Sequence, residues 1–343
     1  MDLLLSLPIA SYFFSASLTS WSTSMNLLFF YMTWSTLVLS HSPLKIELIG
    51  VTAVRIVFWL VPSLFFLLFD TLLPSLAETI KFNGASALPP RDAQALSKLL
   101  GLALVNLALE SALQTGLSLS LTYFLDTPIF RTSTTLPLPF QIIKHIALLF
   151  TAREVLTYYI HRYILHGAQS KTATTKQIAS WHSCNAHARR AAPFSLLLMA
   201  DNPLPFLLHR FIPLYLPALA LHHDNLHLLT FMLFVVLATL EETLSMSGYT
   251  VVPGIIMGGI ARRSALHYCR PTGGNFGCWG VLDWIHGTSL GKDVMADLHD
   301  EAEKHQVKER GNRTADGAGN MLQNGINGLR RSARKSRPRN MDY

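Results

Sequence analysis

Long apolar runs alternate with short polar or proline-rich breaks along this chain. No Asp, Glu, Lys or Arg occurs from Leu3 to Leu44, and Met25 to Leu39 is the best spanning core of that stretch. A second run covers Leu48 to Leu73, broken only by Arg55, Pro62 and Asp70. The proline pair in Ala85 to Arg91 marks a loop. A third run, Leu99 to Leu125, carries one charge, Glu110. An acid at that depth is either functional or paired with a neighbouring helix. After the Thr/Pro-rich break at Thr132 to Pro139 comes a fourth segment, Phe140 to Ile160. Lys144 and the Arg153-Glu154 pair make it amphipathic, so one face should meet protein. Pro203 to His223 and Leu226 to Leu240 are each short for an independent span, and His222-His223-Asp224-Asn225 joins them. They read as a helical hairpin that enters and leaves by one face. That return brings Glu241-Glu242 back to the side that holds residues 161–187. From Arg262 onward the chain is polar, and the glycine density of Gly273 to Thr288 suits a folded cap.

The pattern predicts an all-α, multi-pass membrane protein in three parts. Residues 1–135 form a membrane anchor, residues 136–300 the chemical domain, and residues 301–343 a basic tail, its Gly/Asn/Arg-rich stretch from Gly311 reading as disordered. Composition supports this reading. Half of the chain is hydrophobic and 14% is charged, against about 25% charged in soluble domains. Mean hydropathy is +0.31. The net charge of +7 owes +5 to the tail, where ten Lys/Arg face five acids. That is a tail property and not a nucleic-acid-binding surface. No basic region precedes the first apolar run, which disfavours a cleaved signal peptide. Three cysteines without a C-x-x-C pair offer no disulfide framework, so metal chemistry would rest on nitrogen and oxygen ligands.

Histidines gather in the second half: twelve of the fourteen lie from His161 to His305. Four of them, His161, His166, His182 and His187, form two pairs on either side of a polar spacer. Imidazoles at the end of a membrane helix are costly without a partner, and His clusters mark metal sites. Within each pair the spacing is five. On an ideal helix such residues point about 140° apart. Either the helix frays near Gly167 so that the first pair shares one ion, or the pairs serve two adjacent ions. The repeated spacing favours a two-metal site over a closed four-coordinate one. Glu154 lies two turns before His161, where it would orient an imidazole or pair with Arg153 or Arg162.

The motifs carry a resemblance. H-R-Y-I-L-H (161–166), W-H-S-C-N-A-H (181–187) followed by P-F-S, then S-G-Y (247–249), and finally N-F-G-C-W-G-V-L-D-W-I-H-G-T (275–288) occur in that order. Together, over Phe140 to Gly291, they resemble the fatty acid hydroxylase/sterol desaturase superfamily. The resemblance implies a multi-pass protein of the endoplasmic reticulum membrane with cytosolic histidine boxes and a di-iron centre. It implies dioxygen as oxidant, a cytochrome b-type electron donor and hydroxylation or desaturation of a lipid. Sterols, fatty acyl chains and lipophilic secondary metabolites all fit the class. By motif, His161 and His166 match the first box, His182 and His187 the second, and His267 falls in the third. The chain departs from the family where Asn185 and Ala186 replace a second-box histidine. It departs again where Met246 precedes S-G-Y, and where the third box shrinks to His267-Tyr268-Cys269. Glu241, Glu242 and His286 are the candidate replacements, ahead of His222, His223 and His227. Two other readings compete: a degenerate scaffold, and a transporter with a His/Glu ion path. A transporter should show internal repeats, and none is found.

The basic tail generates a topological test, since Lys and Arg near membrane ends stay cytoplasmic. Asn312-Arg313-Thr314 is a glycosylation sequon that is usable only in the lumen. It is expected to remain unmodified. A glycosidase-sensitive mass shift that vanishes in Asn312→Gln would place the tail in the lumen.

Overall fold

The computed structural model describes residues 21–167, 169–251 and 257–303. The tail from residue 304, its sequon and the residues before 21 lie outside the described residues. Chain contacts divide the protein into two units, Met1–Gly291 and Lys292–Tyr343. In the second, residues 294–303 are helical and Lys292 pairs with Asp300 at 2.5 Å.

In the first unit the order is α1 (Trp21–Ser40), α2 (Pro43–Arg55), α3 (Val61–Leu72), α4 (Pro74–Ile80) and α5 (Ala93–Leu125). Then come α6 (Pro139–Ile160), α7 (Ala173–Asn185), α8 (Pro203–Phe206), α9 (Ile212–Ala220), α10 (Leu228–Ser245), α11 (Met257–Cys269) and α12 (Val281–Ile285). Three segments of i→i+5 hydrogen bonding, Ile56–Leu60, His161–Leu165 and Leu207–Phe211, interrupt or extend these helices. Among the described residues there is no strand, only isolated bridges at Lys81–Tyr249 and Arg131–His227. The fold is that of an all-α multi-pass membrane protein.

Local chemistry sets the helix ends. Pro43 and Pro139 open α2 and α6, where a missing N–H costs nothing. Asp92 caps α5 by accepting from the backbone N–H groups of Gln94 and Ala95 at 3.0 and 3.2 Å. His227 Nδ1 caps α10 by accepting from Leu229 N–H at 3.1 Å.

Among the described residues, three helical stretches are long and apolar enough to cross a membrane: Pro43–Leu72, Ala93–Phe124 and Leu228–Ser245. The first continues unbroken through the π-turn at Ile56–Leu60. Its exposed side chains include Val61, Phe65, Leu68 and Leu72, which suit a lipid solvent. The apolar part of α1, Met25–Ser40, is shorter than a full span. The hairpin expected after residue 203 is present. Its first arm is α8, a π-turn and α9, with Pro213 and Pro217 in the way of a regular helix. Its second arm is α10. The largest core cluster lies where α2, α6, α9 and α10 meet, around Leu149, Tyr215, Phe231 and Phe234.

Glu110 is not alone. Its carboxylate pairs with Arg55 at 2.7 Å, and both are buried. Arg55 also donates to Tyr215 Oη at 2.9 Å, Tyr215 donates to Gln114, and Gln114 and Ser118 donate to Glu47 at 3.1 and 2.6 Å. This chain of polar groups ties α2, α5 and α9 together inside the bilayer-crossing part. With no water to replace it, each group there must find a partner in protein. Asn106, also on α5, donates to the carbonyls of Met199 and Asp201 at 2.7 and 2.8 Å. Ser195 donates to Thr243 O at 2.8 Å and Trp59 donates to Ser195 O at 3.3 Å. The spans therefore hold the loop 195–201 directly. On the opposite flank, buried Lys81 and Tyr249 both bond Asp70, which staples the S-G-Y turn to α3.

Removing one member of the Arg55–Glu110 pair leaves a buried charge without its partner. Arg55→Ala is expected to cost about 3–5 kcal/mol, read as a fall in the thermal unfolding midpoint in detergent. The Arg55→Met, Glu110→Leu double variant is expected to recover most of that loss.

Candidate metal centre

The first histidine pair sits on a π-turn. The chain leaves α6 as a regular helix and then makes the His166 N–H to His161 O bond, at 2.9 Å. This i→i+5 closure stacks residue 166 over residue 161, where an α-helix would splay them. The Nε2 atoms of His161 and His166 come to 3.2 Å. The fraying anticipated near Gly167 is thus a wound turn ahead of it. Gly167 is required there: a Cβ would lie 2.3 Å from Tyr163 O and 2.7 Å from Thr175 Cγ2. The second pair is brought together otherwise. α7 ends at Asn185, and the turn after it folds His187 back until its Nε2 is 3.1 Å from that of His182. Ligand nitrogens of all four lie within 4.8 Å of one another.

His267, on α11, completes the wall. Its ring centroid lies 4.6, 4.9 and 4.8 Å from those of His161, His166 and His187. His209, which the sequence reading did not single out, lies 4.3 Å from His161 by the same measure. The signal for it was an imidazole inside the apolar arm Pro203 to His223.

The outward nitrogens are anchored. His161 Nδ1–H donates to Phe276 O at 2.8 Å and His267 Nδ1–H to Gly274 O at 2.8 Å. His182 Nδ1 meets Asp201 Oδ2 at 2.6 Å. Carbonyl and carboxylate oxygens only accept, so Nδ1 carries the hydrogen in each case. With Nδ1 so occupied, Nε2 of these rings is directed inward. His267 Nε2 is buried without a hydrogen-bond partner among the described residues. Burial, then the neighbouring imidazoles, holds His166 down to about 2 and His187 well below the ordinary histidine range. Burial also lowers His267, to about 4. The rings are kept neutral, which is the ligand form.

The donor set fits a metal ion. The Nε2 lone pairs of His161 and His182 face the Nε2 atoms of His166 and His187 at 3.2 and 3.1 Å, so each pair converges on a point where a shared proton or a metal ion satisfies it. A metal–imidazole bond of about 2.1 Å places adjacent ligand nitrogens about 3.0–3.4 Å apart, which is the spacing found. Imidazole suits iron, copper and zinc.

The cap supplies the acceptors. Asp283 accepts from Phe276 N–H and Gly277 N–H at 2.9 and 2.7 Å and from Thr288 at 2.8 Å. Glu154 accepts from Trp279 N–H at 3.0 Å. It therefore braces the loop and does not bond an imidazole or pair with Arg153 or Arg162. Gly274 is left-handed (φ +144), and a Cβ there would lie 2.0 Å from Thr288 O. The glycine density reflects how tightly this loop is folded.

Glu241, Glu242 and His286 stand apart from the imidazoles. Arg153 binds Glu241 at 3.1 Å and Glu242 at 2.7 Å, and Arg210 binds Glu242 at 2.8 Å. The acids line the same cavity as the rings but are engaged with arginines. His286 is exposed, with Nδ1 on Leu282 O and Nε2 on Tyr159 Oη. His222 and His223 sit in the hairpin turn, and His227 caps α10.

Asp201 fixes the ring of His182, so Asp201→Asn is expected to weaken metal binding 10–100-fold with the fold intact. Chelator competition read alongside the unfolding curve checks this.

Residues 146–288 match the family model described as fatty acid hydroxylase. No solved structure matches the chain. The matched residues include both histidine pairs, His209, His267 and the cap loop, so over this region the chain is similar to the fatty acid hydroxylase family.

Proposed function

We propose that this protein is a membrane-bound non-haem iron oxidoreductase that uses dioxygen to hydroxylate a hydrophobic substrate. The observation that carries the reading is the pit of converging imidazole nitrogens within the family-matched region of a membrane protein. Desaturation is the alternative outcome of the same site. His161, His166, His182, His187 and His267 would hold the metal, as one ion or as a di-iron pair. Iron supplies the oxidising power that a lipid C–H bond requires and that acid–base side chains lack.

The rest is work for the chain's own residues. Asp201 and the carbonyls of Phe276 and Gly274 hold the rings in one tautomer and one orientation. The cavity of about 60 Å³ beside them admits a few small molecules and not a lipid chain. Substrate would thus enter by displacing its lining, and Met246 and Ile260 are apolar parts of that lining. The Arg153, Arg210, Glu241 and Glu242 layer carries balanced charge, so it adds no net field that would oppose a cation in the pit. The three-part division at residues 135 and 300, the endoplasmic reticulum location, the cytosolic face of the boxes and a cytochrome b-type donor belong to the same proposal. The substrate class is a sterol, an acyl chain or a lipophilic secondary metabolite, to be resolved by lipid and metabolite profiling of a strain lacking the protein.

Detergent-purified protein is expected to contain iron. His161→Ala and His182→Ala are expected to lose it while keeping the helical fold by circular dichroism. Elemental analysis that finds no transition metal in wild-type protein able to turn over would sink the reading.

A further inference from the structure

The sixth imidazole has no place in the three boxes. His209 lies in the π-turn Leu207–Phe211, closed by Ile212 N–H on Leu207 O. The turn sits between α8 and α9, in the first arm of the hairpin. Its ring stacks 4.3 Å from His161 and 6.2 Å from His182. It lines the same cavity as His161, His182 and His267. No hydrogen bond to the His209 ring is found among the described residues, although the residue beside it, Arg210, is fully engaged with Glu242 at 2.8 Å. The His209 ring, half-buried in this polar pit, is therefore free to take a ligand there.

The chain also has a gap that this ring would fill. Asn185 and Ala186 stand where the second box ordinarily carries a histidine, and Asn185 is the last residue of α7, its side chain not directed into the cluster by any contact found. The two ends of the cluster differ accordingly. His187 contacts His166, His267 and Tyr268, whereas the far side of His161 and His182 is covered by His209.

The geometry points to His209 as a metal ligand of this centre, supplied by the membrane hairpin in place of the histidine missing from the second box. This rests on the reading of the pit as a metal site, and it adds a sixth imidazole to the five of the boxes. Six imidazoles on one ion would close its coordination. A catalytic ion keeps a position open, so six converging rings suit two ions sharing them.

The test uses full-length protein in detergent, stripped and reloaded with Co²⁺, whose visible absorption reports its ligands. Relative to wild type, H209A is expected to lose at least one equivalent of bound cobalt, or well over about 100-fold in affinity for it, exceeding the roughly 10–100-fold typical of an outer-shell change. Its absorption band is expected to shift, with the unfolding curve unchanged. H286Q, outside the cluster, is the control and is expected to match wild type in all three. H209A with wild-type stoichiometry, affinity and spectrum would overturn the assignment while leaving the five-histidine site standing. Should H209A not fold, X-ray absorption on the wild type decides. Imidazoles per ion multiplied by ions per chain must exceed five, and five or fewer refutes the role of His209. Wild-type protein that binds no cobalt and no iron refutes both readings, and metal-loaded protein without turnover refutes only the enzymatic one.

Discussion

Imidazole nitrogens crowded into one dry pit are the constraint on which the rest of the structure depends. The three anchored rings turn their Nδ1–H away from the centre. That demands an acceptor behind each anchored ring, in a fixed place. The three acceptors come from two places: Asp201 from the loop after α7, Phe276 O and Gly274 O from the cap. None of these stands unaided. Asp201 is held through its own carbonyl by Asn106 of the long span α5, and the cap is folded around Asp283 and Glu154. The hydrogen bonds run without a break from a membrane-crossing helix to the nitrogen of a candidate ligand. This is why α5, which contributes no histidine, belongs to the site.

The membrane part of the fold was legible because its physics is one-dimensional. A run of apolar residues long enough to cross is visible in the chain, and the second and third runs appear with their boundaries shifted by a few residues. Glu110 was legible as an anomaly, but its partner Arg55 lies in another run and nothing local connects them. The histidine pairs were legible as a cluster and misread as a geometry. The 140° argument assumed an α-helix, and the chain avoids it with a π-turn at one pair and a helix end at the other. Nothing in H-R-Y-I-L-H announces a π-turn, because it is stabilised by what packs around it. His209 was hidden for a similar reason. A single histidine in an apolar arm is ordinary until tertiary structure lays it against another.

Glu241 and Glu242 show how a residue can be near a site and serve it without touching its centre. As acids beside a depleted box they looked like replacement ligands. In the fold they meet Arg153 from α6 and Arg210 from the hairpin, in a buried lattice of two cations and two anions. Arg210 adjoins His209 in sequence, so the lattice also fixes the π-turn that presents that ring. Charge pairing at this depth acts as a mount.

The π-turn at His161–Leu165 has a consequence for how such a motif can vary in length. A helix with one residue fewer between the two histidines would place them four apart, on one face of an ordinary α-helix. The extra residue is absorbed as a local bulge, so both spacings deliver two imidazoles to the same point. A regular helix would instead pass an added residue on to everything downstream, turned by about 100° and advanced by about 1.5 Å. Here the π-turn takes it up before Gly167 and the polar loop that leads to α7. The histidine pair is thereby insulated from insertions and deletions that would destroy a motif on a rigid rod. Families built on it can change box spacing without changing the geometry that the boxes deliver.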